Sequence, residues 1–128
     1  MVKNCVAALC AVLLLGVTAG AVSAHASLQT CSIKNNQVFH AVGAPHMVTA
    51  TFAEPLDPKF SWMKVFEGQA DHGLVTEKQN SVVSFKNPKV MTLKLPKLQP
   101  EKYYLIWYTH SAADGHFAAG IVYFQVVK

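Results

Sequence analysis

The sequence contains no arginine, so all 11 of its basic side chains are lysines, set against 7 carboxylates for a net charge of +4. Without a guanidinium group there is no rigid fork for bidentate recognition of phosphate or guanine. The lysines are also spread along the chain rather than clustered. Nucleic acid is therefore not an expected partner, and we interpret the positive charge as a contribution to solubility and to the protection of strand edges.

A long apolar run is missing as well. Residues 6–17 are apolar but too few to cross a bilayer, which takes about 20 residues. Lys3 precedes this run and Val22-Ser23-Ala24 follows it. These features predict a secretory signal peptide over residues 1–24, with cleavage after Ala24 and His25 as the first residue of the mature chain. Cleavage after Ala26 also fits the small-residue pattern and would remove the histidine. Residues 25–128 then form one domain, with no membrane insertion after cleavage.

Cysteine is scarce once the leader is removed. Cys5 and Cys10 lie within it, and only Cys31 remains. A single thiol cannot form an internal disulfide, so the domain must depend on its hydrophobic core. We interpret Cys31 as a small buried apolar residue, with a soft metal ligand or an intermolecular disulfide as the alternatives.

The mature chain also lacks the 3.6-residue apolar period of an amphipathic helix and alternates with period two instead. Turn signals separate seven strand candidates, and the residues from Leu98 to Tyr103 resemble a tyrosine corner. The pattern predicts an all-β fold, a seven-stranded Greek-key β-sandwich or barrel. The candidate strands are His25–Cys31, 48–53, Phe60–Glu67, Val82–Phe85, Val90–Leu95, Tyr103–His110 and Ile121–Val127. Trp62, Trp107 and the methionines Met47, Met63 and Met91 are predicted to lie in the core.

The chemistry is concentrated in the stretch from Ser111 to Gly120, where Asp114-Gly115-His116 places a carboxylate and an imidazole two residues apart. Asp-x-His alone is a weak signal. It gains force from His25, because a mature N-terminal histidine offers both its α-amine and its imidazole Nδ1 to one metal. Adding the imidazole of His116 and an oxygen of Asp114 gives three nitrogens and one oxygen, a set that suits Cu(II). Zinc would favour a tetrahedral set, whereas nickel fits the same ligand types.

Several segments, taken in order, resemble the bacterial CopC/PcoC family of periplasmic copper-binding proteins. They are Ala24-His25-Ala26, Thr51–Leu56, Leu98-x-Pro100-x-x-Tyr103-x-x-x-Trp107, Ser111-Ala-Ala-Asp114-Gly115-His116 and Gly120-x-Val122-x-Phe124-x-Val126. The resemblance covers essentially the whole of residues 25–128 and implies a cupredoxin-like or Ig-like β-barrel. Phe117 departs from the family pattern, since a proline commonly follows the histidine there.

The resemblance implies a metal site formed by His25, Asp114 and His116 that binds one Cu(II) ion per chain. It also places Glu54 where some members carry a further acidic residue, so Glu54 is a candidate outer ligand. The methionine-rich Cu(I) site of some members is not expected, because residues 61–72 contain one methionine. The remaining histidines, His40, His46 and His72, are interpreted as ordinary surface residues. His110, at the end of the strand that enters the loop, is a candidate for a residue that flanks or orients the site.

These features predict a periplasmic protein that carries or buffers Cu(II) in copper homeostasis or resistance and is not an enzyme. Its expected partners are the copper ion and an inner-membrane copper transporter or another periplasmic copper protein. One alternative is a histidine-brace copper oxidase or mono-oxygenase, disfavoured by the small size, by a carboxylate at the copper and by the lack of a recognisable flat aromatic surface. The other alternative is a metal-free Ig-like interaction module.

Overall fold

The computed structural model describes residues 25–68 and 73–128, so the predicted leader and His72 lie outside the described residues. Eight strands and one short 3-10 helix, Ala41–Gly43, follow one another. The strands are β1 (Leu28–Cys31), β2 (Gln37–His40), β3 (Met47–Phe52), β4 (Trp62–Glu67), β5 (Val82–Val83), β6 (Val90–Lys94), β7 (Glu101–His110) and β8 (Phe117–Val127). Across these two ranges there is no helix long and apolar enough to span a bilayer.

The strands form two four-stranded sheets, one in the order β1-β3-β6-β5 and the other in the order β2-β8-β7-β4. The predicted all-β fold with two packed sheets is therefore confirmed. Each of the seven predicted strands is present, and β2 is an additional strand that the sequence analysis missed. It pairs in parallel with β8, Gln37 opposite Phe124 and His40 opposite Val127. Because β2 is only four residues long and its partner is distant in the sequence, no local pattern indicates that it is a strand.

The two long strands β7 and β8 build the centre of the second sheet, as their apolar composition predicts. Val122, Phe124 and Val126 point into the core, with 5% or less of their surface exposed, whereas Ile121 and Tyr123 point outward. This alternation follows from the period of two in a strand. The inward side chains pack against Val48, Phe52, Met91 and Leu93 of the opposite sheet.

The tyrosine corner is present. The Tyr103 hydroxyl donates a hydrogen bond to the backbone carbonyl of Gln99 over 2.7 Å. The ring stacks on Phe124 with a centroid distance of 5.3 Å. Burial raises the pKa of the Tyr103 phenol, and the hydrogen bond to Gln99 offsets part of this rise. The contact fixes how the chain enters β7, the strand that leads to the Asp114 loop.

The predicted core residues differ in how deeply the structure buries them. Met63 and Met91 are buried as predicted, but Met47 is 48% exposed, so its assignment to the core is wrong. Trp62 is only partly buried, because even-numbered positions of β4 face outward. Cys31 is half-buried and free, and burial raises the pKa of its thiol. It packs against the core as the apolar interpretation predicts.

Gly120 lies opposite Trp107 in the β7–β8 pair. A Cβ atom at position 120 would come within 2.5 Å of Cζ2 of the indole ring. The indole is held from its other side by an edge contact with Phe52, at a centroid distance of 5.5 Å. Gly120 therefore leaves room for the Trp107 indole.

We predict that Gly120→Ala destabilises the domain by about 1–3 kcal/mol, the usual cost of overpacking a filled core. Gly43→Ala is the matched control, because no heavy atom lies within 4 Å of the added methyl there. Urea unfolding followed by tryptophan fluorescence measures both free energies. Equal stabilities of the two variants would contradict this account of Gly120.

Candidate metal centre

The loop between β7 and β8 is closed by its own backbone. The Ser111 amide donates to the carbonyl of His116 over 2.9 Å, and the Gly115 amide donates to the carbonyl of Ser111 over 3.0 Å. Gly115 has a φ of 75°, a left-handed conformation that a glycine adopts without strain. The Ala112 amide is tied to the carbonyl of Pro55 over 2.9 Å. Asp114 and His116 thus project from a small, defined turn.

Ser111 organises the inside of this turn and is 1% exposed. Its hydroxyl donates to a carboxylate oxygen of Glu54 over 2.5 Å. The Ser111 hydroxyl oxygen also accepts hydrogen bonds from the amides of Ala113 and Asp114, at 3.2 and 3.4 Å. Glu54 therefore supports the loop through Ser111, a role that sequence reasoning missed. Its assignment as an outer metal ligand stays a prediction.

Asp114 and His116 contact each other through both the backbone and the side chain of His116. One carboxylate oxygen of Asp114 accepts the backbone amide of His116 over 3.0 Å, and the other lies 3.0 Å from Nδ1 of its ring. The amide hydrogen bond from His116 is the main cause that lowers the pKa of Asp114, with the Ser111 hydroxyl adding to it. A carboxylate on the second ring nitrogen is a common way to orient a metal-binding histidine.

The start of the described chain is anchored in the core directly beside this loop. Ala26 is fully buried. Its carbonyl accepts a hydrogen bond of 2.7 Å from the hydroxyl of Thr109, which is also fully buried and lies near the end of β7. The carbonyl of Ser27 accepts the amide of Ala53 over 2.9 Å. These contacts fix the residue that follows His25.

His25 consequently meets His116. The two imidazole rings lie 5.3 Å apart, centroid to centroid, and meet edge to face at 64°. His25 and His116 are both exposed to solvent. The fold thus brings together two side chains from opposite ends of the domain.

The site has a further aromatic neighbour. His110 ends β7, and Nδ1 of its ring lies 3.5 Å from Oδ2 of Asp57 without a hydrogen-bond partner. Its ring packs against Phe117 at a centroid distance of 4.5 Å and against Phe60 at 5.3 Å. A Cβ atom on Gly115 would lie 3.8 Å from Nε2 of His110. His110 therefore lies beside the loop.

Over residues 25–68 and 73–128, no three His, Cys, Asp or Glu side chains are already grouped as a metal site. The predicted ligand set differs from a cluster of side chains, because one of its ligands is the α-amine of His25, a backbone group. The direct pairs are His25 with His116 and His116 with Asp114. His40 lies elsewhere, with Nδ1 3.2 Å from the carbonyl of Lys128.

The fold and these contacts define a small two-sheet β-domain with two histidines and a carboxylate gathered at one end. The chain belongs to the CopC family, whose domain matches residues 28–127. The resemblance noted from the sequence is thereby confirmed.

Related proteins extend the comparison. The chain is 29% identical over 105 residues to the copper transport protein CutJ of Bacillus subtilis (strain 168). The match covers 82% of this chain but only 18% of that relative, so the chain corresponds to a small part of a much longer protein.

Two crystal structures have the same fold. CopC from Methylosinus trichosporium OB3b superposes with a TM-score of 0.69 at 24% identity, over 80% of this chain and 93% of the other. PcoC from Escherichia coli, a methionine-rich copper resistance protein, gives 0.65 at 25% identity, over 81% of this chain and 100% of the other.

We predict that the pKa of the Asp114 carboxyl group lies below its ordinary value in the metal-free protein. A lowered pKa means that the charged form is favoured in the fold, so its contribution is present at neutral pH and is lost as pH falls through the lowered pKa. Carboxyl ¹³C NMR measures the titration. A pKa of Asp114 at or above its ordinary value would contradict the observed hydrogen bonding.

Proposed function

We propose that the mature protein begins at His25 and binds one Cu(II) ion as cargo, which it carries or buffers in the periplasm. The single observation that carries the proposal is the 5.3 Å approach of the His25 and His116 rings. Two histidines from opposite ends of a domain can lie side by side because they bind the same ligand or because they pack against each other. Both rings are exposed to solvent, which favours a shared ligand over a packing contact.

The donor set suits copper. The α-amine and Nδ1 of His25 close a chelate ring on one ion, and the imidazole of His116 supplies the third nitrogen. Cu(II) heads the divalent affinity order for nitrogen and oxygen ligands and accepts a roughly planar arrangement of them. Asp114 contributes in one of two ways. It either remains on Nδ1 of His116 and orients that ring, or it turns to give an oxygen to the ion.

Two further points support a carrier over an enzyme. The chain belongs to the CopC family, and the relatives described above are a copper transport protein and a copper resistance protein. With Asp114 turned to ligate the ion, its carboxylate would also fill a position that a mono-oxygenase needs for oxygen. We therefore infer that the copper is bound for transfer and that no reaction is catalysed on it.

The proposed location follows from residues 1–24, which have the composition of a secretory leader. Cleavage after Ala24 creates the α-amine that the site needs, so export and metal binding are linked. The partner would be an inner-membrane copper transporter or another periplasmic copper protein. The similarity of this domain to a small part of a longer copper transport protein supports a transporter.

The test is a one-residue extension. A chain beginning at His25 is compared with one that carries an additional alanine before His25, which converts the amine into an amide and removes the chelate. We expect Cu(II) affinity to fall by more than about 100-fold, beyond the 10–100-fold that changes around metal ligands typically cost. Competition against a copper chelator at pH 7.5 measures the affinity.

Three controls accompany this comparison. An alanine added after Lys128 should leave the affinity unchanged, and so should His40→Ala. His116→Ala should reproduce the large loss. Unfolding curves show that all variants keep the fold, since a terminal residue is exposed. Undiminished Cu(II) affinity in the chain extended before His25 would refute the proposed site.

A further inference from the structure

Thr109 is a buried polar residue to which the proposed copper chemistry assigns no role. It lies one residue before the end of β7 and is fully buried, as is Ala26, the residue that follows His25. Its hydroxyl oxygen lies 2.7 Å from the carbonyl oxygen of Ala26 and 3.3 Å from that of Ala118. Hydrogen bonds between a hydroxyl and a carbonyl are usually about 2.7–2.8 Å long. The single hydroxyl proton is therefore directed at Ala26.

Both sides of the candidate metal centre are fixed to the same end of β7. On one side, the amide of Ser111, which follows β7, donates to the carbonyl of His116 over 2.9 Å. On the other side, the hydroxyl of Thr109 holds the carbonyl of Ala26. Since Thr109 and Ser111 are two residues apart, these bonds fix the two ligand-bearing segments at neighbouring points of one strand. The distance of 5.3 Å between the rings of His25 and His116 therefore depends on both bonds.

A second anchor of the N-terminal segment leads to the opposite sheet. The carbonyl of Ser27 accepts the amide of Ala53, just after β3, over 2.9 Å, and the amide of Ser27 donates to the carbonyl of His25 over 2.7 Å. The strand β3 belongs to the first sheet, whereas β7 and β8, which flank the Asp114 loop, belong to the second. The bond from Thr109 thus ties the segment to the sheet that carries the other proposed ligands.

The length of this hydrogen bond determines what its loss would do. A carbon atom approaches a carbonyl oxygen to about 3.3–3.6 Å, whereas the Thr109 hydroxyl lies at 2.7 Å from that of Ala26. A methyl group in place of the hydroxyl would therefore push Ala26 away by roughly 0.6–0.9 Å. Groups at a functional site have to be held within about 0.5 Å of their working position. The displacement exceeds this tolerance directly beside His25, which supplies two of the proposed nitrogen ligands.

We propose that Thr109 is a positioning residue of the copper site, whose hydroxyl holds the Ala26 carbonyl and thereby sets how far the amine and imidazole of His25 lie from His116. In this role Thr109 acts through the backbone of Ala26 and is not itself a ligand. The inference rests on the proposed function, because it takes His25 and His116 to be the residues that bind the ion.

The test compares substitutions at two buried threonines. Thr109→Val removes the hydroxyl and keeps the shape of the side chain, whereas Thr109→Ser keeps the hydroxyl. Thr76→Val is the matched control, because Thr76 is 2% exposed and its hydroxyl accepts the amide of Val65 over 3.1 Å. Val65 lies opposite Leu105, which is roughly 14 Å along β7 from Thr109, since a strand rises about 3.4 Å per residue. The control therefore removes a buried hydroxyl away from the candidate metal centre.

Each variant is expressed as the full chain and recovered after export in its processed form. Competition against a copper chelator at pH 7.5 measures the Cu(II) affinity, and the electron paramagnetic resonance spectrum of bound Cu(II) reports the ligand geometry. Urea unfolding identifies conditions in which every variant is folded, so that a loss of stability alone leaves the affinity unchanged. Thr109→Ala replaces the valine variant if the latter does not fold, and the same loss is expected of it because it also lacks the hydroxyl.

We expect Thr109→Val to weaken Cu(II) binding by at least about ten-fold, since changes to groups that orient metal ligands typically cost about 10–100-fold. Its spectrum should differ from that of the wild type in the copper hyperfine splitting. Thr109→Ser should restore the affinity to within about three-fold, and Thr76→Val should change it by less than about two-fold, both with the wild-type spectrum.

Three results would each overturn the inference: wild-type affinity and spectrum in Thr109→Val, an equal loss in Thr76→Val, or no rescue by Thr109→Ser. A failure of the proposed function would instead appear in the wild-type background, as a chain that binds no copper or whose copper affinity His116→Ala leaves unchanged. The two failures are therefore distinguishable.

Discussion

The candidate site depends on one buried hydrogen bond, from the hydroxyl of Thr109 to the carbonyl of Ala26. Both residues are fully buried, so a carbonyl left without this donor would cost about 1–3 kcal/mol. The bond ties the first residues of the domain to the strand that leads into the Asp114 loop. Because Ala26 cannot shift, His25 must emerge beside His116. The position of the candidate metal centre is thus set by the core of the domain more than by the exposed side chains themselves.

Much of the fold could be predicted because inward apolar and outward residues alternate along a strand. Val122, Phe124 and Val126 alternate with Ile121 and Tyr123, and the structure buries the first set while exposing the second. The strand β2 could not be found this way, since its stability comes from a parallel pairing with β8. Met47 and Trp62 were placed in the core from their hydrophobicity alone. The register of β3 and β4 turns both of them outward.

The site was predictable where its chemistry is local and hidden where it is not. Asp114 and His116 are two residues apart, and their mutual hydrogen bonds follow from that spacing. His25 could be added only through the predicted cleavage site. The sequence did not indicate the supporting roles of Ser111, Thr109 and Glu54. A serine, a threonine or a glutamate acquires such a role only from its neighbours in space.

The central claim is that the processed chain begins at His25 and holds one copper ion there. Native mass spectrometry of the protein recovered from copper-grown cells tests it most directly, since one spectrum reports both the N-terminal residue and the bound metal. The account predicts a chain that starts at His25 and carries one copper ion. A chain that starts at any other residue and still retains copper, or a chain that starts at His25 without it, would contradict the account.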